Sequence, residues 1–225
     1  HVTAGLPSHT WCVDIVGKYP EGTKGQVWVL TMVDIFTRWP IAVPIPNHNA
    51  EVVAEAIYEH LVCKHGVPRR ILSDQGKEFV AAGVKQMCEA WGIAKIETTG
   101  WRPQANGHVE RVHRYMNAAL TILSRRHKSS WDVFLPAVLF AYRVSPSSAT
   151  GYSPFFMTYG FDPVLPAEVQ FGLDSERKVA TSARDWATRL RATLKEAFEV
   201  ARSIQKQEDE RNAKRVRSKV AKRRV

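Results

Sequence analysis

The sequence predicts an α/β protein in which helices flank a five-stranded mixed sheet and a long basic helix follows. Apolar runs typical of strands and segments with helical spacing alternate in the order β-β-β-α-β-α-β-α, which fits a mixed sheet covered by helices. The net charge of +10 is uneven: residues 1–175 hold 16 Lys+Arg and 15 Asp+Glu, whereas residues 176–225 hold 16 and 7. We therefore expect an arm at 1–10, a catalytic core at 11–175 and a basic amphipathic linker helix and tail at 176–225.

The first three predicted strands are joined by short links and form an antiparallel meander. Residues 11–16 form the first strand, and alternation along it places Asp14 on the same side as Cys12 and Val16. Residues 27–34 are apolar on both faces, as in an interior strand. Residues 37–45 contain two prolines, which lack an N–H donor, so this strand is expected at an edge of the sheet.

The next segment alternates helices and strands. Residues 50–64 have the apolar spacing of a helix that ends at a Gly and a Pro. A short strand at 71–73 delivers Asp74, a helix at 81–91 follows, and a fifth strand occupies 93–97. Asp74 thus lies immediately after the end of a predicted strand.

The remaining chain is mainly helical. Gly, Pro and Asn residues in 98–107 indicate a flexible loop, and the helix after it, at 107–126, is expected to carry Glu110 in its first turn. Further helices are predicted at 131–142 and, as a short turn, at 154–159. The apolar residues of 179–215 recur every three or four positions, which indicates a long amphipathic helix before the basic end of the chain.

Composition limits the class of protein. The chain lacks an apolar run of about 18 residues, so no membrane span is expected. Its three cysteines, Cys12, Cys63 and Cys88, lie in apolar patterns and are predicted to be reduced core residues. The chain begins at His1, which leads us to expect a fragment or a processed product of a larger protein.

Three acids occupy unusual positions. Asp14 interrupts an apolar strand, Asp74 ends another, and Glu110 begins a helix. Burying an ionised carboxylate in an apolar strand costs free energy unless the charge is paired. Three carboxylates that come close together also repel one another unless cations lie between them. Hard divalent ions with oxygen ligands, Mg²⁺ or Mn²⁺, suit such a site, and a pair of them supports in-line phosphoryl transfer.

The chain resembles the catalytic core of retroviral-type integrases, most closely those of Ty3/gypsy long-terminal-repeat retrotransposons. The resemblance covers roughly residues 11–165 and depends on the order and spacing of several motifs together. These motifs are Trp11-Cys12-Val13-Asp14, Val33-Asp34-Ile35-Phe36-Thr37-Arg38-Trp39-Pro40, His65-Gly66-Val67-Pro68, Ser73-Asp74-Gln75-Gly76-Lys77-Glu78-Phe79, Pro103-Gln104-Ala105-Asn106-Gly107-His108-Val109-Glu110-Arg111, and Trp131-Asp132 with Leu135-Pro136 and Ala141-Tyr142-Arg143.

The resemblance implies a ribonuclease H-like fold and an acidic triad, Asp14, Asp74 and Glu110, that holds two Mg²⁺ or Mn²⁺ ions. It implies an enzyme that trims the 3′ ends of retroelement DNA and inserts them into target DNA without a covalent protein intermediate. It also implies that the parent protein acts in the nucleus as a homo-oligomer, a tetramer that joins two DNA ends. Expected DNA-binding residues are Lys77, Trp101, Arg102, Gln104, Asn106, Arg111 and Arg114.

Some positions differ from the family pattern. Residues 100–102 read Gly-Trp-Arg where a proline, a tyrosine and a histidine are expected, and His113 stands where the family usually has Asn. These differences affect the expected loop contacts and leave the triad intact. One alternative is a host protein that derives from an integrase and binds DNA or protein without catalysis. Another is a ribonuclease H-type nuclease, which the spacing of the second and third acids disfavours.

Overall fold

The computed structural model describes residues 5–97, 103–127, 130–171 and 182–222. The chain divides into two compact units, His1–Arg143 and Val144–Val225. Within the described residues, no helix combines the length and apolar character that crossing a membrane requires. The domain bounds at residues 10 and 175 stay predictions.

The first unit contains a five-stranded sheet in the order β3-β2-β1-β4-β5. Its strands are β1 (Thr10–Gly17), β2 (Trp28–Asp34), β3 (Pro40–Ile45), β4 (Arg70–Ser73) and β5 (Ala94–Glu97). The first three strands pair antiparallel, and β4 pairs parallel with both β1 and β5, so the sheet is mixed as predicted. The proline-containing β3 lies at an edge, where its missing N–H donors break no ladder.

The helices of the first unit appear close to their predicted places, with three differences. They are α1 (Ala50–Ile57), α2 (Cys63–His65), α3 (Lys77–Val80), α4 (Ala82–Ala90), α5 (Pro103–His127) and α6 (Trp131–Val144). A π-helical turn, Tyr58–Val62, joins α1 to α2 where we predicted one regular helix. The helix predicted at 81–91 is preceded by the separate α3, because extended backbone at Ala81 interrupts it. The third difference concerns the start of α5.

The prediction that α5 begins at residue 107 is wrong, because the helix begins at Pro103. Proline suits a first helical turn, since its fixed φ is helical and its missing N–H would have no partner there. We had interpreted Pro103 and Asn106 as loop residues. Glu110 is consequently the eighth residue of α5, and it lies beyond the reach of the positive helix end to which we had assigned it.

Two apolar clusters fix α5 against the sheet. The first half of the helix contributes Val109 and Val112, which pack with Cys12 of β1 and Leu72 of β4. The second half packs with Val29 of β2 and with residues of α6, and the members of this cluster are Val29, Met116, Leu120, Trp131, Leu135, Val138 and Leu139. Burying each such side chain contributes about 1.5–3 kcal/mol, so the position of α5 on the sheet is strongly determined.

The second unit is built around α9 (Ala183–Lys222), with α7 (Pro154–Tyr159) and α8 (Pro166–Gln170). Helix α7 begins where the Ser153 hydroxyl accepts a hydrogen bond of 3.0 Å from Phe156 N–H, and it ends at Gly160 in the left-handed conformation. A Cβ on Gly160 would lie 2.2 Å from Leu190 Cδ1, so the two helices approach closely at this glycine. The amphipathic pattern predicted α9, whereas α8 was not predicted.

Candidate active site

The two aspartates are brought side by side by the parallel pairing of β1 with β4. Cys12 pairs with Leu72 in this ladder, and Asp14 and Asp74 each follow two residues later. Because strand side chains alternate, Asp14 points to the same face as Cys12. Asp74 follows the last residue of β4, the strand beside β1, and its negative charge contributes to the raised pKa of Asp14.

Glu110 reaches the same face through α5. The flanking residue Val109 and the nearby Val112 pack against Cys12 and Leu72, the side chains that precede the two aspartates on their strands. Glu110 itself is exposed, and its negative charge contributes to the raised pKa of Asp14. The fold therefore gathers the three predicted acids in one region, although 35 residues separate the last two in the sequence.

The pKa of Asp14 is raised in part by the other acids of this region. Burial is the largest cause that raises the pKa of Asp14, and the negative charges of Asp74, Glu78 and Glu110 add to it. The total effect takes this pKa from 3.8 to about 6. One hydrogen bond lowers the pKa of Asp14: Ile15 N–H donates to Asp14 Oδ1 at 2.8 Å, which favours the ionised carboxylate. The resulting group is one whose negative charge is poorly stabilised by the protein alone.

Glu78 is a member of this acidic region that our sequence reasoning missed. Its local sequence is that of an ordinary acid at the start of a helix, and it lies in the first turn of α3. However, a Cβ on Gly76 would lie 2.8 Å from Glu78 Oε1 and 3.0 Å from Asp74 Oδ1, so both carboxylates border this glycine. The spacing of four residues between Asp74 and Glu78 was the available signal.

Asp74 is held by its own turn. Its Oδ1 accepts a hydrogen bond of 3.0 Å from Gly76 N–H, which bends the chain directly after β4 and turns it into α3. The Ser73 hydroxyl donates to the backbone carbonyl of Asp74 at 3.0 Å. These two bonds fix the backbone that presents Asp74, so the side chain projects from an ordered strand end and not from a mobile loop.

The donor chemistry of this region fits a hard divalent cation, since it offers carboxylate oxygens. Among the described residues, however, no three His, Cys, Asp or Glu side chains stand close enough to hold one ion together. The region is thus an acidic cluster whose members would have to move inward to share a cation.

His113 is a largely buried side chain that lies next to Asp14. It lies one turn after Glu110 on α5, and its Nδ1 is 3.9 Å from Asp14 Oδ2. Burial lowers the pKa of His113 to about 4, so the imidazole is neutral near pH 7. Its Nε2 is buried without a hydrogen-bond partner among the residues that the structure describes. The structure therefore places His113 beside Asp14 as a neutral side chain that is largely buried.

A buried basic pair positions the start of α5. Arg38, in the turn between β2 and β3, is buried and has a left-handed φ of 66°. Its Nη1 donates to Nδ1 of His108, which requires that nitrogen to be an acceptor and the ring to be neutral. Burial, together with smaller effects of the positive charges of Arg38 and Arg111, lowers the pKa of His108 to about 3. The pair ties α5 to the sheet two residues before Glu110.

The predicted DNA-binding residues divide into three groups. Lys77, Arg111 and Arg114 are exposed on α3 and α5, beside the acidic region. Gln104 and Asn106 belong to the first turn of α5, which corrects our placement of both in a loop. Trp101 and Arg102 lie outside the described residues, so their predicted contacts stay predictions.

Residues 6–103 match the Integrase core domain family. The Pol polyprotein of transposon 412 from Drosophila melanogaster is 27% identical over 209 residues, which cover 92% of this chain and 17% of that protein. Gypsy retrotransposon integrase-like protein 1 from Bos taurus is 27% identical over 157 residues, or 68% of this chain and 30% of that protein. The chain thus spans less than a third of either relative.

The fold is also found among solved structures. The catalytic core domain of HTLV-2 integrase, in complex with magnesium and in a trimeric form, superposes with a TM-score of 0.56 at 17% identity. The superposition covers 67% of this chain and 96% of that one. This likeness confirms the predicted ribonuclease H-like fold, with its five-stranded mixed sheet and flanking helices.

Proposed function

We propose that this chain, whose residues 6–103 match the Integrase core domain family, is the catalytic core of a retroelement integrase. It would trim the 3′ ends of element DNA and then join them to target DNA. The observation that carries the proposal is the convergence of acids on Asp14, whose pKa rises to about 6 through burial and through the charges of Asp74, Glu78 and Glu110. A protein that only binds DNA gains nothing from clustered negative charge, since DNA is itself an anion.

The proposed cofactor is a pair of Mg²⁺ or Mn²⁺ ions held by Asp14, Asp74 and Glu110. When bound, such ions would acidify the attacking water or 3′-hydroxyl and stabilise the leaving oxygen. The magnesium complex of the HTLV-2 integrase core supports this choice of metal. The buried Asp14 and the elevated local negative charge supply the driving force, because a divalent cation relieves both the desolvation and the repulsion.

Two residues next to Asp14 on β1, Ile15 and Cys12, affect the proposed chemistry in different ways. Asp14 must be ionised to act as a ligand, so the backbone N–H of Ile15, which favours its ionised form, assists binding. Cys12 lies two residues away, but burial raises the pKa of its thiol to about 12, which excludes it as a thiolate nucleophile. Water and a DNA 3′-hydroxyl are equivalent oxygen nucleophiles, so one site suffices for both reactions.

Positively charged side chains around the acids would hold the DNA. Lys77, Arg111 and Arg114 are exposed near the acidic region and suit contacts to phosphates, which position the duplex without reading its sequence. The basic residues after 205 would add further, less specific phosphate contacts. We also propose that the parent protein works as a homo-oligomer, a tetramer, and that it acts in the nucleus.

The test is a strand-transfer assay with the cognate element end in Mg²⁺, run beside a DNA-binding measurement. Asp74→Asn keeps the size and the hydrogen-bonding oxygen of the side chain but removes the charge. We expect this substitution to abolish both end trimming and joining while it leaves DNA affinity within about threefold. A variant that still joins DNA would overturn the proposal, as would a wild-type chain that binds the element end but never processes it.

A further inference from the structure

A cavity of about 550 Å³ lies on the first unit, and its lining includes none of the three predicted acids. It is bounded by the end of β1 and the chain that follows it, by the second half of α5, and by the start of α6. Its volume falls within the range of about 300–1,000 Å³ that is typical of small-molecule sites. Nothing in the proposed DNA chemistry uses this cavity.

The walls of the cavity are tied together, so its shape is set before any ligand arrives. The Tyr19 ring stacks on the Trp131 ring with centroids 4.7 Å apart, and the Tyr19 hydroxyl donates to Asn117 Oδ1. The Trp131 indole N–H donates to the backbone carbonyl of Pro20 at 2.7 Å. These contacts join the segment after β1 to both helices, and a preformed site avoids the entropic cost of ordering itself on binding.

The lining combines an apolar floor with a basic rim. Val16, Leu120 and Trp131 form part of the floor, and Leu120 and Trp131 belong to the core cluster beneath it. Lys18 and Arg125 are exposed and line the mouth, with Glu21 as an opposing charge, which leaves a local excess of one positive charge. An apolar pocket with a few convergent polar groups selects a ligand that has an apolar body and a charged end.

Among the polar atoms of the lining, the Ser124 hydroxyl oxygen is buried and has no hydrogen-bond partner within the residues that the structure describes. Such groups are uncommon in folded proteins, because an unsatisfied buried hydroxyl costs about 1–3 kcal/mol. Ser124 and Arg125 both line the cavity, so a ligand held by Arg125 would lie in the same cavity as this hydroxyl.

We propose that this cavity is a binding site for a small aromatic carboxylate. The aromatic ring would occupy the floor beside Leu120 and Trp131, and the carboxylate would face Arg125 and Lys18. A flat ring suits a floor that ends on an aromatic pair, since ring contacts add to the burial of apolar area. The site is independent of the acidic triad, and binding does not require a metal ion or DNA.

The probe is 2-naphthoate, with its neutral isostere 2-naphthamide as the matched ligand. Titration of the ¹⁵N-labelled full chain should produce saturable chemical-shift changes at residues 17–21 and 117–125 and at the Trp131 indole N–H. Calorimetry should show that naphthoate binds about threefold to tenfold more tightly than naphthamide, which is the range of a partly exposed ion pair.

The matched variants are Arg125→Gln and Arg126→Gln, since Arg126 is the next exposed arginine on α5 and does not line the cavity. Arg125→Gln should weaken naphthoate by about threefold to tenfold and leave naphthamide unchanged. Arg126→Gln should affect neither ligand. The proposal is overturned by the absence of saturable binding, by shift changes located elsewhere, by equal affinities for the two ligands, or by equal losses in the two variants.

Discussion

Asp14→Asn should stabilise the protein in the absence of divalent ions, which is unusual for a substitution at a partly buried polar residue. The pKa of Asp14 rises from 3.8 in the unfolded chain to about 6 in the folded chain, so the folded protein holds this proton more tightly. The favourable contribution of the protonated group is therefore present below pH 3.8 and is lost as the pH rises through 6. At pH 7 the wild-type protein carries a destabilising charge that asparagine lacks.

The magnitude follows from the size of the shift. One pKa unit corresponds to about 1.4 kcal/mol, so the shift of Asp14 amounts to about 3 kcal/mol. Solvent screens part of this effect, because the side chain is 32% exposed, and the expected gain in the free energy of unfolding at pH 7 is about 1–3 kcal/mol. Urea unfolding of both proteins at pH 3.5, 5 and 7 measures it, and the difference should vanish at pH 3.5.

Magnesium provides the second half of this test. The free energy of unfolding of the wild-type protein should increase as Mg²⁺ is added, whereas that of Asp14→Asn should change little. The difference in stability between the two proteins should therefore become smaller or change sign. Glu89→Gln is a suitable control, since Glu89 is an acid of α4 with 66% exposure, and it should change the free energy of unfolding by less than about 0.5 kcal/mol. An Asp14→Asn protein that is less stable than wild type at pH 7 without metal would refute the reasoning.

Three further predictions concern other parts of the chain. Gly160→Ala should destabilise the protein by about 2–5 kcal/mol in urea unfolding, because the added Cβ would overlap Leu190 and φ is +78°. The control Gly92→Ala has a similar φ of +65° but open space around the added Cβ, so it should destabilise the protein by only about 1 kcal/mol. Burial raises the pKa of Tyr19 to about 12, so the protonated phenol contributes stability that is lost as the pH rises from 10 to 12. Tyr19→Phe should therefore make the free energy of unfolding less dependent on pH in this range. An unchanged dependence would contradict the raised pKa of Tyr19. Removal of residues 205–225 should make the salt dependence of DNA binding shallower, and an identical dependence would show that this segment contacts no phosphate.

The strand pattern was predictable because its physical causes are local. Alternation in residues 11–16 identified the face of Asp14, and the prolines of residues 37–45 placed that strand at an edge, where β3 lies. The two parallel strands that carry Asp14 and Asp74 were also recognised. Their register was not predicted, since it depends on side chains distant in sequence that pack together.

The errors have physical reasons of their own. Pro103 and Asn106 have the composition of a loop, yet Pro103 starts α5, because a proline is well tolerated in a first helical turn and α5 is held by packing against the sheet. Glu78 has the local context of an ordinary helix acid, and only the tertiary structure shows that it borders Asp74 across Gly76. Helix α8 is five residues long, too short to produce a periodic signal.

The acidic region also illustrates a compromise between stability and chemistry. Four carboxylates that repel one another are maintained by a rigid frame, in which β1 pairs with β4 and α5 packs on Cys12 and Leu72. Such a frame stores unfavourable electrostatic energy that a bound divalent cation would release. Substitutions that relieve the repulsion are accordingly expected to raise stability and to remove activity.

The most direct measurement is anomalous diffraction from crystals of the full chain soaked in Mn²⁺. The account predicts two Mn²⁺ peaks at the end of β1, with carboxylate oxygens of Asp14, Asp74 and Glu110 at about 2.2 Å from the ions. It also predicts that these peaks are lost from crystals of Asp74→Asn. Mn²⁺ bound only elsewhere, or three acids that stay apart at saturating Mn²⁺, would contradict it.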